Sequence, residues 1–295
     1  MNRTFVPSLG KHISQAGLGC VTFGREIGRA ASFSIMDYAL EREITFFDTA
    51  SAYGGGASEE IVGQWFAERG GAAAHIAVAT KLLPPYDAST LSAAVEQSLA
   101  RLRMDRIDVL FAHSWHPSIE DDVVLRALSD LVFAGKVRAL GVSNFNAEQL
   151  GTLLRKQADR GLTPVSFVQN NHNYAVSHVD DALMRLCRDC NVNIVTYSPL
   201  AAGFLTGKYR GAVASDVRFE IIPGHKDIYF NDRAWERLDR LMNAAERAGK
   251  PPAMLALAWA FHQPQVSSVL VGCRTTGHLD QALAALAEGD PGLPT

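Results

Sequence analysis

The stretch IAVATKLLPPYDASTLSAAVEQSLARLRMDRIDVLFAH (76–113) holds one complete repeat of the fold. It opens on IAVATK (76–81), a short and almost continuously apolar run of the kind a strand shows when both its faces are covered. From Ser89 to Arg103 the period changes: Leu91, Val95, Leu99 and Leu102 recur at helical spacing and form one buried stripe. Asp87 and Ser89 supply N-cap chemistry just before it. VLFAH (109–113) is apolar again. This alternation is that of βα units around a parallel sheet.

Read outward in both directions, the pattern recurs. Further strand candidates are AGLGC (16–20), ITFFD (44–48), ALGVS (139–143), FVQNN (167–171), NIVTYS (193–198) and SVLVG (268–272), making eight with the two above. Lys136, after Gly135, marks the handover from a helix to the fifth strand. No Pro/Gly/Ser-rich linker divides the chain, so the expectation is one domain over 1–295, a (β/α)8 TIM barrel. The first dozen residues are expected to form a β-hairpin closing one end, and GDPGLPT (289–295) a short C-terminal tail. Lys208 to Pro252 has no clear strand; it reads as an excursion over the barrel mouth, with 208–232 a candidate cover, and then an outer helix through Trp235, Leu238 and Leu241.

Composition narrows the function. The 28 Lys and Arg against 31 Asp and Glu leave a formal net charge of −3, which gives no basic field for nucleic acid or an anionic membrane. MNRTFVPSLGKHIS has no apolar core of signal-peptide length, and no run approaches the roughly 18 apolar residues of a membrane span. A cytoplasmic protein acting on a small molecule is expected. The four cysteines (Cys20, Cys187, Cys190, Cys273) are too scattered for a disulfide framework. Cys187 and Cys190 form a C-x-x-C, but LMRLCRDC reads as an amphipathic helix and no second ligand pair exists, so helix packing and no metal site are expected.

In parallel βα barrels chemistry gathers at the C-terminal ends of the strands. Asp48, Lys81 and His113 each stand at the last residue of a strand candidate, and Tyr53 follows Asp48 in the next loop. Each alone would carry a desolvation cost there. Together they fit proton transfer: an ammonium beside a phenol favours the phenolate and lowers its pKa, a carboxylate holds the ammonium, and an imidazole can bind the same substrate oxygen. None of them can supply a hydride, so a cofactor is required.

Here the chain resembles the aldo-keto reductase family. The similar strings are GLGCVTFG (17–24), FFDTASAYGGGASEEIVG (46–63), ATK (79–81), SLARLRMDRIDVLFAH (98–113), GVSNF (141–145), QNNHNY (169–174) and YSPLAAGFLTGKY (197–209). The resemblance implies a catalytic tetrad of Asp48, Tyr53, Lys81 and His113, and a nicotinamide cofactor held without a Rossmann fold. It implies that Ser143, Asn144 and Gln169 bind the carboxamide, that Tyr197 stacks on the ring, and that Ser198, Leu200 and Lys208 follow the pyrophosphate. Gly272, Arg274, His278 and Gln281 fall at the adenosine end, where the chain departs from the family's basic and Glu-Asn pattern. Arg274 is placed to meet a 2′-phosphate, so NADP(H) is preferred and NAD(H) possible. With a short tail the mouth should be open, walled by Phe23, Trp115 and Phe204.

The expected activity is therefore reduction of an aldehyde or ketone with NAD(P)H. An NAD-dependent aldose or hydroxy-compound dehydrogenase would use the same residues in the other direction. A third reading, a nucleotide-sensing regulatory subunit, follows from the similar barrel of potassium-channel beta subunits, which replace the catalytic histidine that this chain has as His113.

Overall fold

The computed structural model describes residues 1–210 and 224–294. All eight strand candidates are present. They are β3 (Ala16–Gly19), β4 (Phe46–Asp48), β5 (Ala77–Leu82), β6 (Ile107–Ala112), β7 (Val137–Ser143), β8 (Val165–Asn171), β9 (Asn193–Tyr197) and β10 (Val266–Gly272), parallel and closed in chain order with β10 pairing back to β3. The helices of the outer ring include α1 (Arg29–Glu41), α2 (Ala57–Arg69), α3 (Ala88–Leu102), α4 (Asp122–Phe133), α5 (Ala147–Asp159) and α6 (Asp181–Asp189). After β9 come α7 (Gly224–Tyr229), α8 (Asp232–Ala248) and α9 (Pro252–Phe261), and α10 (Thr276–Glu288) follows β10.

The α3 stripe buries Leu91, Val95, Leu99 and Leu102, and the Asp87 side chain caps the helix by accepting from Ser89 N–H at 2.9 Å. Between β9 and β10 the sequence led to one outer helix and the protein has two long ones. In α9 residues 255–261 are all buried, so apolar side chains lie all round it and no amphipathic period marks it. Cys187 is buried on α6, whereas Cys190 is an exposed C-cap beyond that helix. Of the 208–232 excursion, residues 211–223 lie outside the described residues, so its closure over the mouth is not described either.

The hairpin β1 (Arg3–Val6) and β2 (Lys11–Ser14) seals the N-terminal end of the barrel. Its Val6, Leu9 and Ile13 join Phe46, Ala77, Val109, Phe111, Phe167, Val195 and Leu270 in the core inside the barrel. Lys11 and Arg138 both reach Asp108 there, at 3.0 and 3.1 Å. The filling is tight: a Cβ at Gly141 would lie 2.5 Å from the Phe111 ring.

That inner core sets the strand phase. Phe46, Ala79, Phe111, Phe167 and Val195 face inward, and side chains alternate with period two. Two residues later on the same strands the inward positions are Asp48, Lys81, His113, Gln169 and Tyr197. The layer above the apolar filling is therefore polar and lies at the C-terminal mouth. Strand phase rather than strand termination selects these residues. Only Asp48 of the three ends its strand; Lys81 is followed by Leu82, and His113 lies one residue past Ala112.

Candidate active site

Lys81 and Asp48 are both buried, and Lys81 Nζ donates to Asp48 Oδ2 at 2.5 Å. An ammonium has three N–H groups. The other two meet the Thr49 carbonyl at 2.9 Å and Tyr53 Oη at 3.2 Å. The phenol oxygen accepts here, so its own proton is left for the mouth. His113 closes the group, its ring edge-on to Tyr53 with centroids 5.8 Å apart.

The electrostatics correct one expectation. Burial pushes the Tyr53 phenol above its ordinary value, and the Lys81 ammonium opposes this without overcoming it. The phenol is thus held protonated. Burial works against the Lys81 charge, yet Asp48 and Tyr53 together hold its pKa above the ordinary value. Burial also raises Asp48, against the pull of Lys81 and of Gln169, whose Nε2 donates to Asp48 Oδ1 at 2.8 Å. For His113, burial and then the Lys81 charge lower the imidazole to about 3, so it is neutral at ordinary pH.

A second lowered histidine directly follows β8: burial takes His172, tilted against Trp259, down to about 4. Unfolded, both imidazoles titrate near 6.5. Their folded pKa values are lower, so the unfolded state binds more protons between the two limits, and stability falls as pH drops from 6.5 toward 4. Urea midpoints at pH 7 and pH 5 should show this loss, and it should shrink in His172→Asn. A wild-type midpoint equal at both pH values would contradict it.

The Tyr53 loop is anchored by residues that the sequence reading left out. Glu59, in the first turn of α2 and fully buried, accepts from Thr80 Oγ1 and Arg101 Nε, each at 2.6 Å. Ser58 Oγ donates to the Cys20 carbonyl at 2.8 Å and lies 2.8 Å from Thr49 Oγ1. Gly56, at φ 100°, takes the left-handed turn between Tyr53 and α2 where a Cβ would strike Arg101 at 2.9 Å. The one available sequence signal was a carboxylate among the apolar α2 positions Ile61, Val62 and Trp65. Across the mouth Tyr86 Oη donates to the Ser114 carbonyl at 2.7 Å and accepts from Ser114 N–H at 3.3 Å, fixing the loop after His113.

Of the residues expected at the cofactor, Ser143, Asn144, Gln169 and Tyr197 are joined by hydrogen bonds beside this group. Ser143 Oγ donates to the Gln169 carbonyl at 2.9 Å. Asn144, at φ 61°, donates through Nδ2 to the His113 carbonyl at 3.0 Å and accepts the Tyr197 hydroxyl on Oδ1 at 2.6 Å. Ser198 is left-handed at φ 57°, Leu200 precedes a 3-10 turn at Ala201–Thr206, and the exposed Lys208 has its Nζ 4.9 Å from the Tyr209 ring centre. At the far end Gly272, Arg274, His278 and Gln281 are exposed, and His278 Nδ1 accepts from Arg274 N–H at 3.3 Å.

The expected walls divide. Trp115 is 37% exposed beside the mouth. Phe23 and Phe204 are fully buried and offer a substrate no surface. Phe204 packs on Tyr229, Phe230 and Trp235, with its ring 4.6 Å from that of Trp235, because four aromatic rings after β9 cluster together.

A closed parallel barrel with a buried ammonium–carboxylate pair and a half-buried phenol and imidazole at its C-terminal mouth has the layout of a barrel enzyme. Comparison with known proteins supplies the family. The Aldo/keto reductase family model matches residues 16–289. Aldo-keto reductase YhdN of Bacillus subtilis (strain 168) is 30% identical over 95% of this chain and 87% of its own length. A probable voltage-gated potassium channel subunit beta of Arabidopsis thaliana is 31% identical over 94% of this chain and 88% of its own. Aldo-keto reductase yakc [NADP(+)] of Schizosaccharomyces pombe is 28% identical over 92% and 83%. The chain belongs to the aldo/keto reductase family, a family of oxidoreductases. Among the described residues no helix is long and apolar enough to cross a membrane.

Proposed function

We propose that the protein reduces an aldehyde or ketone to an alcohol with a nicotinamide cofactor, Tyr53 donating the proton. The observation that carries this reading is the use of all three Lys81 N–H groups. Bonded to Asp48, Thr49 and Tyr53, they make the phenol oxygen an acceptor and leave its proton free to be given away. When it leaves, the phenolate stays beside the ammonium, so the charge created is stabilised where it forms. A phenol held protonated by burial suits the reductive direction. Neutral His113 is fit to hydrogen-bond the carbonyl oxygen without competing as an acid.

The residues present fit a nicotinamide dinucleotide. Ser143, Asn144 and Gln169 bring hydroxyl and amide groups to the mouth beside Tyr53, and Tyr197 offers a ring face. Ser198, Leu200 and Lys208 would hold the pyrophosphate, and Gly272, Arg274, His278 and Gln281 the adenosine end. The bound cofactor supplies the hydride, which no side chain here can. The exposed Arg274 guanidinium, on one turn with His278, favours NADP(H) over NAD(H) because its planar fork matches a phosphate. The yakc name, with its NADP(+), points the same way.

Fluorescence titration with NADPH and NADH in parallel, followed by turnover of an aldehyde panel, tests the reading. Binding of neither would end it. The name of the Arabidopsis relative favours a second reading, a subunit that reports nucleotide state to a channel. Nucleotide binding without turnover of any carbonyl would support that reading instead.

A further inference from the structure

We propose that Asn173 is a positioning residue for the dinucleotide: it holds the Ser198 turn in the shape that faces the mouth. The inference rests on the reading above, in which Ser198, Leu200 and Lys208 follow the pyrophosphate.

The turn after β9 is conformationally expensive. Ser198, Ala201 and Ala202 all have left-handed backbones, with φ of 57°, 52° and 57°. Side-chain-bearing residues keep such angles only where their surroundings impose them. Part of the constraint is local, since the Ser198 carbonyl accepts from Ala201 N–H at 2.8 Å and the Leu200 carbonyl from Gly203 N–H at 2.9 Å. The rest comes from beneath. Asn173 is fully buried in the loop after β8, and its Nδ2 donates to the Ser198 carbonyl at 3.0 Å.

Asn173 is itself fixed on every side. Its other Nδ2 contact is Asn171 Oδ1 at 3.0 Å, and its Oδ1 accepts from the N–H groups of Ala175 and Val176, both at 3.0 Å. Asn171, also buried, meets the Tyr229 hydroxyl at the end of α7, with Nδ2 to Oη at 2.9 Å. The chain Ser198, Asn173, Asn171, Tyr229 therefore ties the turn to the last strand position of β8 and to the helix that follows the excursion. The Asn173–Asn171 and Asn171–Tyr229 links are buried and the Ser198 link is part-buried, a setting in which losing one partner is costly. No link touches Tyr53, Lys81 or His113, so the network acts on the cofactor's seat and leaves the proton-transfer group alone.

Asn173→Asp keeps the shape and replaces the donor with a carboxylate that repels the Ser198 and Asn171 oxygens. Tyr229→Phe removes only the hydroxyl at the far end and is a milder probe that keeps the ring packing. The measurement is the Kd of whichever of NADPH and NADH the native protein binds more tightly, with kcat at saturating cofactor and far-UV circular dichroism on the same samples. We expect Kd to rise about tenfold in Asn173→Asp and about threefold in Tyr229→Phe, with kcat near wild type.

A folded Asn173→Asp with wild-type Kd would overturn the proposal. So would kcat falling in step with affinity, because that marks general loosening of the barrel. If Asn173→Asp does not fold, Tyr229→Phe decides, and an unchanged Kd there overturns it. Failure of the native protein to bind either nucleotide overturns the functional reading itself, a distinct result.

Discussion

Tyr53→Phe should lower carbonyl turnover by about 10²–10⁴-fold, the range that one positioned acid supplies, while cofactor affinity stays within about twofold. The asymmetry comes from the geometry. The hydroxyl is the atom that accepts from Lys81 at 3.2 Å, and its removal deletes the proton without altering Asn144, Gln169 or Tyr197 on the rim. The ring stays edge-on to His113, so the mouth keeps its shape. Steady-state rates with an aldehyde panel, paired with fluorescence titration of the nucleotide, read both quantities. Wild-type turnover in this variant would remove Tyr53 as the donor. A parallel loss of affinity would show that the phenol holds the cofactor.

The second large effect is on stability. Lys81→Met should destabilise the fold by about 3–5 kcal/mol, the usual consequence of leaving one member of a buried ion pair without its partner. Asp48 has no solvent to turn to; among the described residues only Gln169 would remain as a side-chain hydrogen-bond partner. Its carboxyl, already raised by burial, would rise further. A carboxyl whose folded pKa exceeds its unfolded value loses stability as pH rises between the two, so the deficit should be larger at pH 8 than at pH 5. Urea unfolding at both pH values checks the size and the sign. The double variant Asp48→Leu, Lys81→Met should recover much of the loss, because apolar residues of similar volume replace both charges. A single variant as stable as wild type would mean the pair is far better hydrated than its burial indicates.

The residues behind both effects are legible in the sequence. Asp48, Lys81 and His113 stood out because ionisable residues at the ends of apolar runs are costly unless they serve chemistry, and Tyr53 because it follows Asp48 in the next loop; the barrel brings them to one mouth. The eight strands were visible for the same reason: a strand covered on both faces is a short apolar run whatever surrounds it. Helix α3 was visible because one face stays in water and leaves a period in the sequence. Helix α9 was not, since it is buried all round and has no polar face to keep time.

Other features needed the folded chain. Whether Phe23, Trp115 and Phe204 wall a pocket depends on what else packs on them, and an aromatic residue has the same sequence signature in a core and in a mouth. The direction of the Tyr53 shift is a competition between burial and one nearby charge, and sequence gives the charge but not the depth of burial. The networks through Glu59 and Asn173 join residues 42 and 25 positions apart through single hydrogen bonds, and polar side chains carry no mark of the partner that folding will give them.

The sequence by itself therefore determined the barrel, the order of its strands and the ionisable strand-end positions Asp48, Lys81 and His113 with Tyr53 in the loop beyond, because period and polarity are local properties that every fold of this chain must honour. The tertiary structure alone decided which aromatics are core, which way the phenol titrates and what holds the Ser198 turn. Each of those depends on distances between segments far apart in the chain, and such distances exist only once the barrel has closed.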